Sequence, residues 1–509
     1  MLNATLDKSA PAAFAVWTNR DRAITVLIAL LTLALLGFQL HAMAARGPWY
    51  DEFYTFYVTR RPLGWTEALR RHWLVDNHPP LFYALSRATD WLGDTIEARR
   101  RINALVEIAL LALAALAVRR ERTHWLLAAL FLAFLIAQGP AIVSAAELRS
   151  YFVSFAAAAL LVLVLTAAWL EGSTARGWRR AALTIALLVA FNTHIATTLL
   201  CGAMYAAFLG GALLRRDFAL SRALLWPALG AGVLFVAITA IQFPLWENNT
   251  RSFWITPGFS AARWAIEMAL IRAIEANLLL AATGALGLAL LMADALRQHV
   301  MDRRLQAALI LGLGAALGAA MLLAIHVLWR PFVIERYLTA LLPMLGMALV
   351  LSLTRLLQPL GPRAGAGLLV AISALSLVTL ARNTEATIAK TTWRGTAAAI
   401  GAKTAQCQDA AVHIAPARWN ADLLALAPAD NAAVVPFAYR TMAARYGFAI
   451  EAASSRRVSA TCPTLFWAEQ GQRHVSSAAD ILRDVRGDGF TFSTLTVRRI
   501  GDGWIAEGR

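Results

Sequence analysis

Charge is scarce in this sequence. Asp, Glu, Lys and Arg make up only 15% of its 509 residues, where a soluble domain carries about a quarter, while 59% are hydrophobic and the mean hydropathy is +0.57. An ordinary water-soluble globule is thereby excluded, and lipid is the solvent for most of the chain. Acidic residues are the scarcer sign, 31 against 47 basic ones, which leaves a net charge of +16. In a soluble protein that excess suggests nucleic acid. Here the arginines fall in short clusters between apolar runs, as in membrane proteins that fix their orientation by charge, so the expected partner is the bilayer and not nucleic acid. Cysteine is nearly absent, at three residues, and no Cys/His spacing has the form of a structural metal centre. Tryptophan, by contrast, is plentiful at 17, and indole favours the headgroup zone.

Runs of about 17–25 apolar residues cross a bilayer as helices. They fall near residues 23–45, 102–118, 125–143, 151–170, 224–243, 271–293, 306–329, 337–353 and 364–381. The stretch 181–214 is too long for one span and long enough for two short ones, with Asn192-Thr193-His194 as the polar turn between them. The first run ends in Ala42-Met43-Ala44, a small-residue pattern, but it is longer than a signal h-region and reads as an anchor. The expected fold is therefore an all-α polytopic membrane protein of about 11 transmembrane helices with a small C-terminal α/β domain. An odd count puts the termini on opposite sides. Arginine clusters at Arg119/Arg120/Arg122, Arg176/Arg179/Arg180, Arg215/Arg216, Arg297/Arg303/Arg304 and Arg355/Arg363 occupy alternate loops, which should be cytoplasmic.

Residues 1–22 then form a cytoplasmic N-terminus, 23–381 the membrane domain, and 382–509 a soluble periplasmic domain of a bacterial inner-membrane protein. Residues 46–101 carry Arg60, Arg61, Arg70, Arg71, Arg87, Asp90 and Glu97 among apolar side chains and suit a long outer loop of interfacial amphipathic helices. In the tail, candidate strands lie at Ala411–Ile414, Ala433–Phe437 and Thr464–Trp467. Cys407 and Cys462 both fall there and either form a disulfide, as the periplasm permits, or stay as two buried thiols; Cys201 lies in a span.

The chemically unusual residues gather in the outward loops. Asp51 and Glu52 follow the first span directly, beside Trp49 and Tyr50, and a carboxylate held there against an acceptor hydroxyl can take its proton. In Val75-Asp76-Asn77-His78-Pro79-Pro80-Leu81 the Pro pair starts a helix and fixes Asp76 and His78 at its N-terminus, where a phosphate is favoured. Glu147-Leu148-Arg149-Ser150-Tyr151 and Glu335-Arg336-Tyr337, the latter just after Arg330, place arginines at outer helix ends. Such arginines bind phosphate in bidentate fashion or snorkel to lipid headgroups. His194 sits in its turn as a capping group or a ligand.

Together, Asp51-Glu52, the Asp76 to Leu81 stretch, Glu147 to Tyr151, Asn192 to His194 and Arg336-Tyr337 resemble the GT-C superfamily of membrane glycosyltransferases. The likeness is to the branch containing protein O-mannosyltransferases and the lipid A aminoarabinose transferase. It extends to about residue 355 and is strongest over 45–152. It implies inverting transfer of a sugar from a polyprenyl-phosphate donor to an acceptor hydroxyl on a lipid, glycan or protein. Asp51 then matches the family's acidic residue proposed as base, with Glu52 beside it. Arg149 and Arg336 would stabilise the phosphate, with His78, Tyr151 and Tyr337 as supporting donors and Asp76 and His194 as further site residues. Where aminoarabinose-transferase-like members have Lys before the Pro pair, this chain has His78, which points away from lipid A modification. A divalent cation between Glu52, Asp76 or His78 and the phosphate is conceivable, though no spacing demands one. A transporter or flippase of lipid-linked sugars is the rival reading. It would place ionisable groups near the midplane in repeated halves, a pattern the sequence lacks. A non-catalytic scaffold would leave Asp51 replaceable.

Overall fold

The computed structural model describes residues 19–118, 122–172, 177–250, 255–390, 393–420, 433–469 and 477–509. Arg119, Arg120 and Arg176, and most of the leader, lie outside them.

Helix α1 (Asn19–Ala45) enters the bundle and is followed by the loop helices α2 (Tyr50–Val58), α3 (Trp65–Ala68), α4 (Leu81–Ala88) and α5 (Ile96–Arg99). Then come α6 (Arg101–Val118), α7 (Arg122–Ala137), α8 (Gly139–Ala145), α9 (Tyr151–Glu171), α10 (Gly177–Thr193), α11 (Ile195–Leu214) and α12 (Phe218–Thr250). Helices α13 (Phe259–Glu275), α14 (Leu278–Gln298), α15 (Arg303–Leu328), α16 (Leu341–Leu357) and α17 (Pro362–Ile388) complete the apolar part. Every apolar run read from the sequence forms helix. Among the described residues eight helices are long and apolar enough to cross a bilayer, and α7 with α8, bent by 73° at Gln138, makes a ninth if the pair is one span. Helices α10 and α16, at 17 residues each, are shorter. Against the expected count of about eleven, the described residues thus hold eight clear spans, or nine with the bent pair.

Two boundaries differ from expectation. The run at 271–293 splits, because α13 bears exposed Arg263, Glu267 and Arg272 and only α14 has the composition of a span. The span after the first loop starts at Ile96, since α5 leads directly into α6. The turn at Asn192–His194 is present: Asn192 leaves helical geometry at φ −117°, ψ 17°, and His194 caps α11 in an extended conformation.

Helix α9 is buried along nearly its whole length, so the bundle is built around it and its first residue, Tyr151, is placed with little freedom. Lipid gives no hydrophobic drive between helices, and close backbone approach substitutes for it. A Cβ at Gly287 of α14 would stand 2.1 Å from the Ser352 carbonyl oxygen of α16, and one at Gly314 of α15 would stand 2.5 Å from Met204 Cα of α11.

The tail comprises α18 (Trp393–Gln406), β1 (Val412–Ile414), α19 (Val434–Arg445), β2 (Thr464–Glu469), α20 (Ala478–Gly487), β3 (Leu495–Ile500) and β4 (Gly503–Gly508). Its sheet has the order β1-β2-β4-β3; β1 and β2 are parallel, with Val412 opposite Leu465, and the other pairs are antiparallel. The expected strand at Ala433–Phe437 is instead the start of α19, where Pro436 suits a first helical turn. Cys407 and Cys462 are joined as a disulfide, with Cα atoms 5.8 Å apart, and Cys201 is a buried free thiol in α11.

The tail and the first loop share one apolar core. Phe53 of α2 meets Trp393 at 5.0 Å between ring centroids, Tyr57 meets Phe437 at 5.2 Å, and Trp393, Tyr439 and Trp467 continue the cluster. Polar contacts seal the joint. Glu97 accepts from Arg394 at 3.1 Å and from Arg445 at 2.5 Å.

Candidate active site

Five separate segments converge at one end of the bundle. Helix α2 presents Asp51 and Thr55. The loop before α4 presents Asp76 and His78. The N-termini of α9 and α11 present Arg149, Tyr151 and His194, and a 3-10 turn at Glu335–Leu338 presents Arg336 and Tyr337. His194 lies at the centre, its ring 4.7 Å from Tyr337, 4.9 Å from His78 and 5.3 Å from Tyr151. Tyr151 and Tyr337 are 5.9 Å apart. The Arg336 guanidinium lies 5.7 Å from the Tyr151 ring and 5.0 Å from that of Trp49, and the Arg149 guanidinium is 5.8 Å from Tyr151 on its own account.

Arg149 is 7% exposed and donates from Nη1 to Thr55 Oγ1 at 3.2 Å and to the Asp51 carbonyl oxygen at 3.5 Å. Its Nε has no hydrogen-bond partner, and among the described residues it makes no ion pair. Asp51 and Asp76 contribute favourable field to this guanidinium, but none of the described carboxylates pairs with it, which leaves its donors open to an anionic ligand. The Asp51 carboxylate likewise forms no ion pair or hydrogen bond among the described residues, and it contributes to the fields at Arg149, Arg336 and Tyr337.

Its neighbour Glu52 is held differently. That carboxylate is fully buried, receives Nε and Nη2 of Arg100 at 2.7 Å each, and also accepts from the Leu148 amide at 2.7 Å. Arg100 reaches on to the carbonyl oxygens of Met43, Arg46 and Gly47. Glu52 therefore ties the end of α1 to the entry of α9 and has no free oxygen to receive a proton. Glu147, from the same expected element as Arg149, pairs with Arg46 at 2.7 Å.

Burial raises the Asp76 carboxyl above the usual range, a shift opposed by Arg149 and by hydrogen bonds from the Tyr83 hydroxyl and the Asn77 amide. Burial, with Arg149 and Arg336 nearby, lowers the His78 imidazole to about 3, and burial with His78 and the same arginines holds His194 well below the ordinary histidine range. Both rings are neutral at pH 7, so each can donate one hydrogen bond without adding charge. His194 Nε2 is buried and has no partner.

Sequence reading missed the group that holds the His78 loop in place. Gln242 of α12 donates from Nε2 to the carbonyl oxygens of Trp73, Asp76 and His78 at 3.2, 3.0 and 3.0 Å. A signal existed, because a glutamine inside an apolar span is expensive unless it has partners. Tyr83 and Thr55 are equally part of the site and equally unmarked in sequence.

No set of three or more His, Cys, Asp or Glu side chains among the described residues is arranged to hold a metal ion. Of the groups considered for one, Glu52 is consumed by Arg100, and Asp76 by Tyr83 and Asn77.

The structure is similar to that of ArnT from Cupriavidus metallidurans in the apo state, with a TM-score of 0.53 and 14% identity over 95% of this chain and 98% of that one. It is similar to the same extent to ArnT bound to undecaprenyl phosphate, with a TM-score of 0.53 and 13% identity over the same shares. No family model and no curated protein matches the sequence. The likeness covers 95% of this chain, tail and bundle alike, and it is a likeness of fold: multi-pass and helical, with a small C-terminal sheet in this chain.

Proposed function

We propose that this protein is a glycosyltransferase that moves a sugar from a polyprenyl-phosphate donor to an acceptor hydroxyl, with inversion, at the periplasmic face of a bacterial inner membrane. One observation carries the reading: Asp51, a carboxylate with no hydrogen bond or ion pair, stands beside Arg149, a buried arginine that makes no ion pair, among the described residues. Asp51 takes the proton of the acceptor hydroxyl as its oxygen attacks the anomeric carbon. The bond from that carbon to the phosphate oxygen breaks, and its electron pair leaves with the lipid phosphate. Arg149 and Arg336 stabilise the charge developing there, and neutral His78 and His194 with Tyr151 and Tyr337 supply hydrogen bonds. Undecaprenyl phosphate bound to ArnT, which has the same fold, supports a lipid-phosphate donor.

The tail supports the orientation. Disulfides persist in oxidising compartments, the Cys407–Cys462 bridge lies in the tail, and the tail packs on the loop that carries Asp51. The position of the polar cluster at helix ends, not in the midplane, favours a transferase over a transporter.

The test is transfer of labelled sugar from a panel of polyprenyl-phosphate sugars in membranes holding the wild type or Asp51→Asn, with membrane extract supplying acceptors. Transfer by the wild type and its fall by at least about a hundredfold in the variant, at equal expression, is expected. Transfer that survives Asp51→Asn removes Asp51 as the base, and its absence with every donor argues against the enzyme.

A further inference from the structure

The turn that carries Arg336 and Tyr337 hangs from a short strap. Residues 330–334 leave the end of α15 and form neither helix nor strand before the 3-10 turn at Glu335–Leu338 begins. A helix or a sheet satisfies its own amides, but a strap does not, and its buried N–H groups need an acceptor from elsewhere. Here one side chain supplies it. His326, in the last turn of α15, accepts on Nδ1 from the amides of Phe332 at 3.2 Å and Val333 at 3.0 Å. The histidine is 2% exposed and Val333 3%. A nitrogen that accepts carries no hydrogen, so the imidazole is held in one tautomer, with its proton on Nε2. The ring lies also against the backbone of Thr256 and Gly258, which lead into α13.

Val333, the anchored residue, is three positions from Arg336. Ile334, next in the chain, gives its carbonyl oxygen to the Tyr337 amide at 3.0 Å, so the turn is built directly on the anchored segment. From that turn the Arg336 guanidinium reaches to 5.0 Å from the Trp49 ring and 5.7 Å from that of Tyr151, and the Tyr337 ring to 4.7 Å from His194. An ion pair of Glu335 with Arg272 of α13, at 2.5 Å, holds the turn from its outer side. The Arg272 side chain is 51% exposed, and an ion pair so open to water contributes little. Two buried amides stripped of their acceptor cost far more, so His326 is the stronger tie of the two.

We propose that His326 is a positioning residue for Arg336 and Tyr337, fixing through the Phe332 and Val333 amides where those two side chains stand in the site. The inference rests on the transferase reading for what Arg336 does there, a lipid phosphate being its ligand, but not for the anchor itself. A misplacement of about 1 Å costs an oriented group up to about a hundredfold, so a residue that touches no reacting atom can set how tightly the phosphate is held.

The test uses the full chain in nanodiscs, as wild type, His326→Leu, His326→Asn, Arg336→Ala and the double variant Arg336→Ala/His326→Leu. Asparagine is the conservative change, because its side-chain oxygen stands where Nδ1 does and accepts in the same way. Hydrogen exchange across Phe332 to Tyr337 should quicken by about tenfold or more in His326→Leu and stay as in wild type in His326→Asn. Undecaprenyl phosphate should bind roughly tenfold more weakly to His326→Leu and as in wild type to His326→Asn. It should bind the double variant within about twofold of Arg336→Ala alone, since a residue that acts through Arg336 then has nothing left to place. Wild-type exchange in His326→Leu, equal losses in the Asn and Leu variants, or equal weakening of binding with and without Arg336 overturns the proposal. Should His326→Leu not elute as the wild type does, His326→Gln, which carries its amide one bond too far, takes its place. Unprotected Phe332 and Val333 amides in the wild type overturn the proposal with no variant at all. A wild type that binds no undecaprenyl phosphate counts against the transferase reading, and exchange alone then decides the anchor.

Discussion

Asp51 and Glu52 are adjacent in sequence and have opposite fates. Successive residues on a helix point about 100° apart, so one carboxylate faces the arginine-lined cluster while the other turns inward to Arg100. The sequence marks the acidic pair but not its division of labour, because Arg100 lies 48 residues away and its approach depends on the tertiary fold. The consequence separates the two side chains experimentally. Glu52→Ala leaves Arg100 buried without its carboxylate, and breaking such a pair costs roughly 3–5 kcal/mol. A large fall in Tm and expression is expected, whereas Asp51→Asn should abolish transfer at unchanged Tm; equal Tm in both variants would refute the division. The histidines make a second residue-scale prediction. With the folded His78 pKa depressed to about 3 and the unfolded value near 6.5, both states are neutral above pH 6.5, and the unfolded chain alone gains the proton as pH falls between those values. Stability is therefore lost on acidification, by roughly 2 kcal/mol from this residue at pH 5. The Tm of wild type should drop more between pH 7.5 and 5 than that of His78→Asn, and parallel drops would show that His78 is not held neutral.

At the scale of elements, hydropathy made the bundle legible, because a lipid-facing helix must be apolar over its whole length. It failed where helices do not obey that length rule: α13 lies as a charged helix before α14, and α7 and α8 bend within one apolar run. In the tail, β1 and β2 are fully buried and stand out as apolar runs, while β3, with Arg498 and Arg499 exposed on the sheet edge, does not. Val434 and Val435 look strand-like, yet they open α19 because Phe437 and Tyr439 pack against the first loop and its neighbours from a helix. The cluster itself was largely legible from the motifs, since each contributes a residue at a helix end, but Gln242, which fastens the His78 loop, was not. The disulfide is an element-scale device. It closes a separation of 55 residues, and chain entropy assigns such a loop roughly 4 kcal/mol. Replacing both cysteines by serine should lower the melting of the tail while the spans, followed by helical circular dichroism at higher temperature, remain folded. A tail that melts unchanged would mean that the bridge adds nothing to its stability.

On the scale of the whole molecule the tail is part of the site's scaffold. Helix α2 carries Asp51 on one side and buries Phe53 and Tyr57 on the other, against Trp393 and Phe437 of the tail. Glu97, at the start of the span that contains Glu107, receives Arg394 of α18 and Arg445 of α19, and Arg394 also donates to the Ala45 carbonyl oxygen at the end of α1. One carboxylate thus links two tail helices to the two spans that bracket the first loop. Its side chain is 11% exposed, while the arginines are 29% and 39% exposed, so the loss of Glu97 leaves cations that water can still reach. The cost is accordingly smaller than for Glu52, on the order of 1–2 kcal/mol. In Glu97→Ala, hydrogen exchange should quicken in α2 and α18 and stay as in wild type in α14 and α15, which lie in the other core. Transfer should fall with it, because Asp51 keeps its place only while α2 stays pressed between bundle and tail. Unchanged exchange in α2 would mean that the aromatic cluster alone fixes the helix, and a normal rate alongside faster exchange would mean that Asp51 does not depend on the tail for its position.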